Sequence, residues 1–367
     1  MKKIFISIVA IAALAACTKS EVAYEASAEI GFAPAVKNIT KAAMAKDATL
    51  NTTDNLGIWA YWNGINGSVE ESNATYANYT DSYLANALFV NRNATSWGGQ
   101  TSYPWPTNGA LVFAGYNKPA GATFTAAYSG LADNIMTFTN YTQSTDLANT
   151  FDLCWFGKTP RSYNNRADGA AVAVTMSHAL TWITINVKGD SNTAPTGEGA
   201  QPWKVTKATL LNVNTVGTTG TCIFDAGDDN KAKATWTSTT PANITVQTSA
   251  VTKDANGVIT DGGTALTTSA VAYESTTNGL VVIPQTPVSL EIEYIYPVAG
   301  VYKEGKTRVN LTLEGTKKED GNTPNTKIDK WLSGTHYIYT IVFKSNEILV
   351  APTYGGWDTV DSSVTVE

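Results

Sequence analysis

Few side chains in this chain can do nucleophilic or metal chemistry: three cysteines and two histidines in 367 residues. Cys17 ends a leader-like segment. Lys2 and Lys3 form a basic start, Ile4 to Ala16 form an apolar run, and Leu14-Ala15-Ala16-Cys17 resembles the bacterial lipobox, in which the cysteine is diacylated and becomes the first residue of the mature chain. The run is shorter than the roughly 20 residues of a membrane-spanning helix, so the expected anchor is lipid. Cys154 and Cys222 lie in the apolar contexts LCWF and TCIF, where a thiol packs as a small hydrophobe. They are assigned to different domains, which disfavours the disulfide that an oxidising compartment would permit. With only His178 and His336 to support a thiol, neither a metal site nor a cysteine nucleophile is expected.

Other motifs lose their chemistry on inspection. Gly300 to Thr307, GVYKEGKT, satisfies the phosphate-loop pattern, but that loop needs a helix after it so that backbone amides converge on the phosphates. Here TRVNLTLEG follows with period-two alternation, so the segment reads as a hairpin carrying a lysine. Glu291 and Glu293 lie two apart on a strand and could share acid and base roles, yet alternation puts them on a wet face. DAGDDNKAK from Asp225 lacks the ligand spacing of a calcium loop. His178 sits between Met176 and Leu180 as a core or interdomain histidine, and His336 opens a strand with no acidic neighbour to orient it. Ten tryptophans and seventeen tyrosines could line a sugar-stacking face, but sandwich core is the preferred reading.

The elements that position these residues are strands. Thr, Asn, Gly, Ser, Tyr and Trp dominate, and apolar residues recur at every second position. In VSLEIEYIYPV, Val288, Leu290, Ile292, Tyr294 and Tyr296 share a face. In THYIYTIVF, Tyr337, Tyr339, Ile341 and Phe343 do the same. Short strands between turn residues favour sandwiches over barrels or parallel α/β units. In AVAVTMSHALTWITINV the apolar set moves from even positions (Val172, Val174, Met176) to odd ones (Ile183, Ile185, Val187). A one-residue slip turns every side chain over, so a bulge or a crossing between sheets is expected near His178. The formal charge of −6 and the 15% charged fraction leave no basic patch for a nucleic-acid backbone, and no cofactor is expected.

Several segments together resemble the fimbrillin family of Bacteroidetes, major or minor fimbrium subunits and Mfa-like fimbrial lipoproteins. They are the lipobox, AEIGFAPAV, ITKAAM, YPWPTNGALVFAGYNKP, FDLCWFGKT, VAVTMSHALTWITINV, LVVIPQT and WLSGTHYIYTIVFKSNEILVAPTYGGWD. The resemblance implies an all-β protein of two tandem transthyretin-like β-sandwich domains. On that frame residues 1–16 are a lipoprotein signal peptide, 17–46 a propeptide with a removable strand, 47–178 the N-terminal domain and 179–367 the C-terminal domain. It also implies a non-enzymatic, adhesive subunit or accessory component of fimbriae at the outer membrane and cell surface. Its partners would be other fimbrial subunits, the membrane through lipid on Cys17, and host or bacterial surface ligands.

In that family a protease removes the first strand, and the C-terminal strand of another subunit fills the groove. Here Ile30 and Phe32 would belong to the removable strand, with Pro34 limiting its ladder. Lys37, Lys41 and Lys46 are the cleavage candidates, Lys41 best matching the family position; all three are lysines, which an arginine-specific protease does not cut. Val360, Val364 and Val366 would share one face of a donor or closing strand. The alternative is a static surface lipoprotein that captures glycan on exposed aromatics.

Overall fold

The computed structural model describes residues 24–36, 50–64, 79–93, 95–107, 109–147, 150–162, 171–224, 232–273, 280–312, 328–345, 348–356 and 364–365. Cys17, Lys37, Lys41, Lys46, Val360 and Val366 lie outside them.

The described chain is all β, as the alternating pattern requires, and its sheets face one another in sandwich fashion. One feature of the architecture differs from the expected open sandwich. Seven strands close into a barrel: Cys154–Ser162, Val172–His178, Gly31–Val36, Ser96–Gly99, Asp81–Asn93, Asn55–Trp62 and Ala110–Lys118, in that order around the ring. Closure depends on the Gly31–Val36 strand. It runs parallel to Val172–His178 over five residue pairs, Phe32 opposite Val172 through Val36 opposite Met176, and antiparallel to Ser96–Gly99 at Gly31 and Phe32. A closed ladder leaves no exposed edge. The barrel interior is filled by Ile30, Phe32, Trp62, Phe89, Trp97 and Phe113 among others, all buried.

The chain leaves the barrel after His178 and enters a second sheet at Thr181–Gly189, so the phase change in the sequence is a crossing between sheets. Thr181–Gly189 pairs in parallel with Thr335–Phe343, which pairs antiparallel with Ile348–Gly356, and the outermost pairing is to Val364–Thr365. A facing sheet is built on the long strand Lys204–Phe224, which pairs with Ala232–Thr248, Ser289–Val298 and Ile135–Thr142. Between the sheets lie Ile183, Ile185, Val187, Val205, Leu290, Ile292 and the expected Tyr337, Tyr339, Ile341 and Phe343. The hairpin of Thr125–Tyr128 and Ile135–Thr142, from the first half of the chain, therefore belongs to a sheet built mostly by the second. A third core cluster, with Trp59, Tyr116, Met136, Phe138, Trp155, Trp182 and Cys222, packs barrel exterior against that sheet.

The GVYKEGKT segment is a hairpin. Ser289–Val298 and Val301–Asn310 pair without interruption, and the turn residues Ala299 and Gly300 both have positive φ, 49° and 79°, the combination that matches strand twist in a two-residue loop. The lysine at the motif's phosphate-binding position, Lys306, bridges Glu291 at 2.7 Å and Glu293 at 3.5 Å, while Arg308 meets Glu291 at 3.2 Å. The two glutamates are thus neutralised across the ladder. The alternation read along this strand carries through Tyr294, which packs on the inter-sheet core with its ring 5.5 Å from that of Phe343. Ile295, on the opposite phase, is also fully buried, and Tyr294 and Tyr296 are half-buried.

Candidate functional site

Two features of the barrel are the candidates for function: the strand that completes it and the polar cluster around Asp152, Cys154 and His178. Phe32 enters the barrel because alternation along Gly31–Val36 points it inward, and it is 0% exposed. Its ring meets Phe89 and Phe113 edge-on at 4.9 Å and 5.1 Å, with Phe156 at 6.4 Å, the geometry that sets a positive ring edge against a neighbour's negative face. Ile30 is buried beside it, and its amide donates to the Tyr103 carbonyl at 2.8 Å. Gly31 permits close approach, since a Cβ there would stand 3.3 Å from the Trp97 carbonyl oxygen. The ladder to Ser96–Gly99 ends at Phe32, so the missing N–H of Pro34 leaves no acceptor unserved on that side. Upstream, Tyr24–Glu29 pairs with Pro104–Pro106, the proline-flanked turn of YPWP.

Among the other residues marked for function, Val364 pairs opposite Tyr354, making Val364–Thr365 an edge of its sheet. Neither Cys154 nor Cys222 is in a disulfide among the described residues, and both are buried. His336 stacks on Trp182 with ring centroids 3.5 Å apart, and its Nε2 lies 3.0 Å from the Thr184 hydroxyl. Seven of the tryptophans (Trp59, Trp62, Trp97, Trp105, Trp155, Trp182 and Trp331) are buried, which places most of the aromatic density in the core. Trp203, Tyr294 and Tyr296 form a half-buried cluster, with Trp203 and Tyr294 stacked at 5.4 Å. Tyr294 also lines a cavity of about 540 Å³ together with Glu293, Glu304, Lys207, Thr248 and Ser249.

The polar cluster went unforeseen. Cys154 and His178 are direct cross-strand partners, and Asp152 lies two residues before Cys154. The His178 Nδ1–H donates to Asp152 Oδ2 at 2.7 Å, the Cys154 thiol approaches the same oxygen at 3.1 Å, and sulfur and Nδ1 are 3.5 Å apart. Next to them, Asn117 ties the group to Asp54: its Nδ2 donates to Asp54 Oδ2 at 3.2 Å and to the Asp152 carbonyl at 2.8 Å, and its Oδ1 accepts from the Cys154 amide at 2.6 Å. Burial raises the Asp54 carboxyl to about 6, against the lowering effect of the Asn117 hydrogen bond, and the nearby charge of Asp152 raises it further. The available signal was that Met176 and His178 share the inward phase of Val172–His178, and that Asp152, just before the strand, is two residues from Cys154 at its start.

No curated protein sequence matches the chain. A fimbrial protein of Bacteroides vulgatus superposes with a TM-score of 0.55 at 17% identity, over 89% of this chain and 99% of that one. The tip fimbrial protein Mfa3 of Porphyromonas gingivalis, with a C-terminal truncation, aligns over 89% of this chain and 100% of its own at 9% identity and a TM-score of 0.38. The first of these speaks to the fold. The fimbrillin-like family model matches residues 40–357, and with nearly the whole described chain inside that match, the protein belongs to the fimbrillin-like family.

Proposed function

We propose that the protein is a structural subunit or accessory component of cell-surface fimbriae, exported as a lipoprotein through Cys17, assembled by donor-strand exchange and serving adhesion without catalysis. The observation that carries this reading is the Gly31–Val36 strand, hydrogen-bonded on both sides and seated through Phe32 in the barrel core. Cleavage after Lys37, Lys41 or Lys46 would release that strand with the lipid. The barrel would then open along Val172–His178 and Ser96–Gly99, exposing unpaired backbone groups and an apolar slot. Such an edge favours strand addition, and the C-terminal segment with Val360, Val364 and Val366 supplies alternating apolar residues for it. Other subunits would be the partners, the outer membrane the site of the acylated precursor, and the cell surface the working location.

N-terminal sequencing of the protein in filaments tests the first step. A start after one of the three lysines is the expected result; an intact acylated Cys17 in every filament subunit overturns strand removal. Deleting residues from Val360 onward should abolish polymers and leave the monomer folded, and unchanged filaments would remove that segment from the donor role. The alternative, a permanently acylated glycan-binding lipoprotein, draws its support from the Trp203, Tyr294 and Tyr296 cluster beside the 540 Å³ cavity. Loss of glycan capture by Tyr294→Ala in a chain that never forms filaments would favour it.

A further inference from the structure

We propose that Asp152, Cys154 and His178 form a zinc site in the barrel. Cys154 and His178 face each other across an antiparallel pair, and Asp152 is in phase with Cys154, so the strand geometry itself delivers a sulfur, a nitrogen and an oxygen donor to one face. The donor atoms lie 2.7 Å, 3.1 Å and 3.5 Å apart. Tetrahedral zinc with bonds of about 2.0–2.3 Å holds its ligand atoms roughly 3.3–3.6 Å apart, so Sγ and Nδ1 already stand at that spacing while Oδ2 must draw away by about 0.6 Å from Nδ1 and about 0.4 Å from Sγ. A mixed thiolate, imidazole and carboxylate set suits zinc better than the all-oxygen cations. A separate observation concerns the other oxygen of the same carboxylate: Asp152 Oδ1 is buried with no hydrogen-bond donor among the described residues, so the carboxylate has coordinating capacity left for a water or an ion.

Binding replaces protons by metal. The Cys154 thiol releases its proton to solvent, and the His178 proton moves from Nδ1 to Nε2, so that Nδ1 presents a lone pair; a water fills the fourth position. The site has a structural rationale that rests on the strand-exchange reading. Val172–His178 is held to Cys154–Ser162 by only two residue pairs, Cys154 opposite His178 and Trp155 opposite Ser177, against five to Gly31–Val36. Once Gly31–Val36 leaves, a metal across Cys154 and His178 would staple the newly exposed strand to the barrel and keep the slot in shape for a donor.

The test uses the full exported chain, unprocessed, so that its outcome does not depend on strand exchange. After stripping with chelator, titration with Co(II) should give a thiolate-to-cobalt charge-transfer band that saturates at one metal per chain, and Zn(II) should bleach it. Cys154→Ser should abolish the band, and Asp152→Asn, nearly isosteric, should weaken binding by about tenfold or more. Cys222→Ser, at the other buried thiol, should leave the titration unchanged. The proposal is overturned if the folded wild-type chain gives no band, or if the band follows Cys222 instead of Cys154. If Cys154→Ser fails to fold, Asp152→Asn decides: folded and titrating like the wild type, it refutes the site.

Discussion

Replacing Phe32 with alanine isolates the completing strand from everything else in the molecule. Its ring is 0% exposed and touches three other phenylalanine rings, so truncation removes a full aromatic side chain from water-free surroundings and leaves a cavity. Phe→Ala changes of this kind cost about 3–5 kcal/mol, a total that already includes the roughly 0.5–1.5 kcal/mol of each edge-to-face pair. Against a domain stability of about 5–15 kcal/mol, that loss is large enough to populate an opened barrel. Denaturant unfolding of the unprocessed monomer, followed by fluorescence and by hydrogen exchange at the amides of Val172–His178, measures it. The expected result is a lowered midpoint and loss of protection along that strand, while Ala35→Ser, an exposed position on the same strand, changes stability by less than about 0.5 kcal/mol. A Phe32→Ala cost below about 1 kcal/mol would refute the placement of this strand in the barrel core. The same substitution also separates precursor from polymer: if the strand is discarded on assembly, filaments made from the variant should be as stable as the wild type.

Two further perturbations probe the polar interior. Because burial raises the Asp54 carboxyl from 3.8 to about 6, the folded state holds its proton more tightly than the unfolded chain. Asp54 therefore costs stability above pH 6, by roughly 3 kcal/mol at most, and that cost disappears as pH falls towards 4. Asp54→Asn should be more stable than wild type at pH 8, with the gap closing near pH 4 in chelator-containing buffer; an equal or lower unfolding midpoint at pH 8 would show that the carboxylate is favourably paired. In the facing-sheet core, Trp331 Nε1–H donates to the Tyr339 hydroxyl at 2.8 Å with both side chains fully buried. Tyr339→Phe strands that donor and should cost about 1–3 kcal/mol, whereas an unchanged thermal midpoint would mean the indole finds another acceptor.

What the sequence made legible was local. Alternation along Thr335–Phe343 identified each of its four inward residues, and the phase change after His178 located a crossing between sheets, because both depend only on the period-two geometry of a strand. The full burial of Ile295, on the phase opposite Leu290 and Ile292, was not legible, because it depends on packing that alternation along one strand does not encode. Barrel closure was invisible for the same reason, since it depends on a parallel pairing between segments about 140 residues apart.

The Asp152, Cys154 and His178 cluster shows what composition does not carry, namely which residues the fold sets side by side. Two histidines and two internal cysteines gave no expectation of a metal site, yet one of each stands opposite the other across a strand pair. Their opposition is fixed by the neighbours of the two strands more than by the strands themselves: Cys154–Ser162 is aligned by its pairing with Ala110–Lys118, and Val172–His178 by its pairing with Gly31–Val36. The strand that family processing would discard is therefore also the strand that sets the register of His178 against Cys154. If that strand leaves, two residue pairs still join Cys154–Ser162 to Val172–His178, and one of them sets a thiol opposite an imidazole with a carboxylate between them.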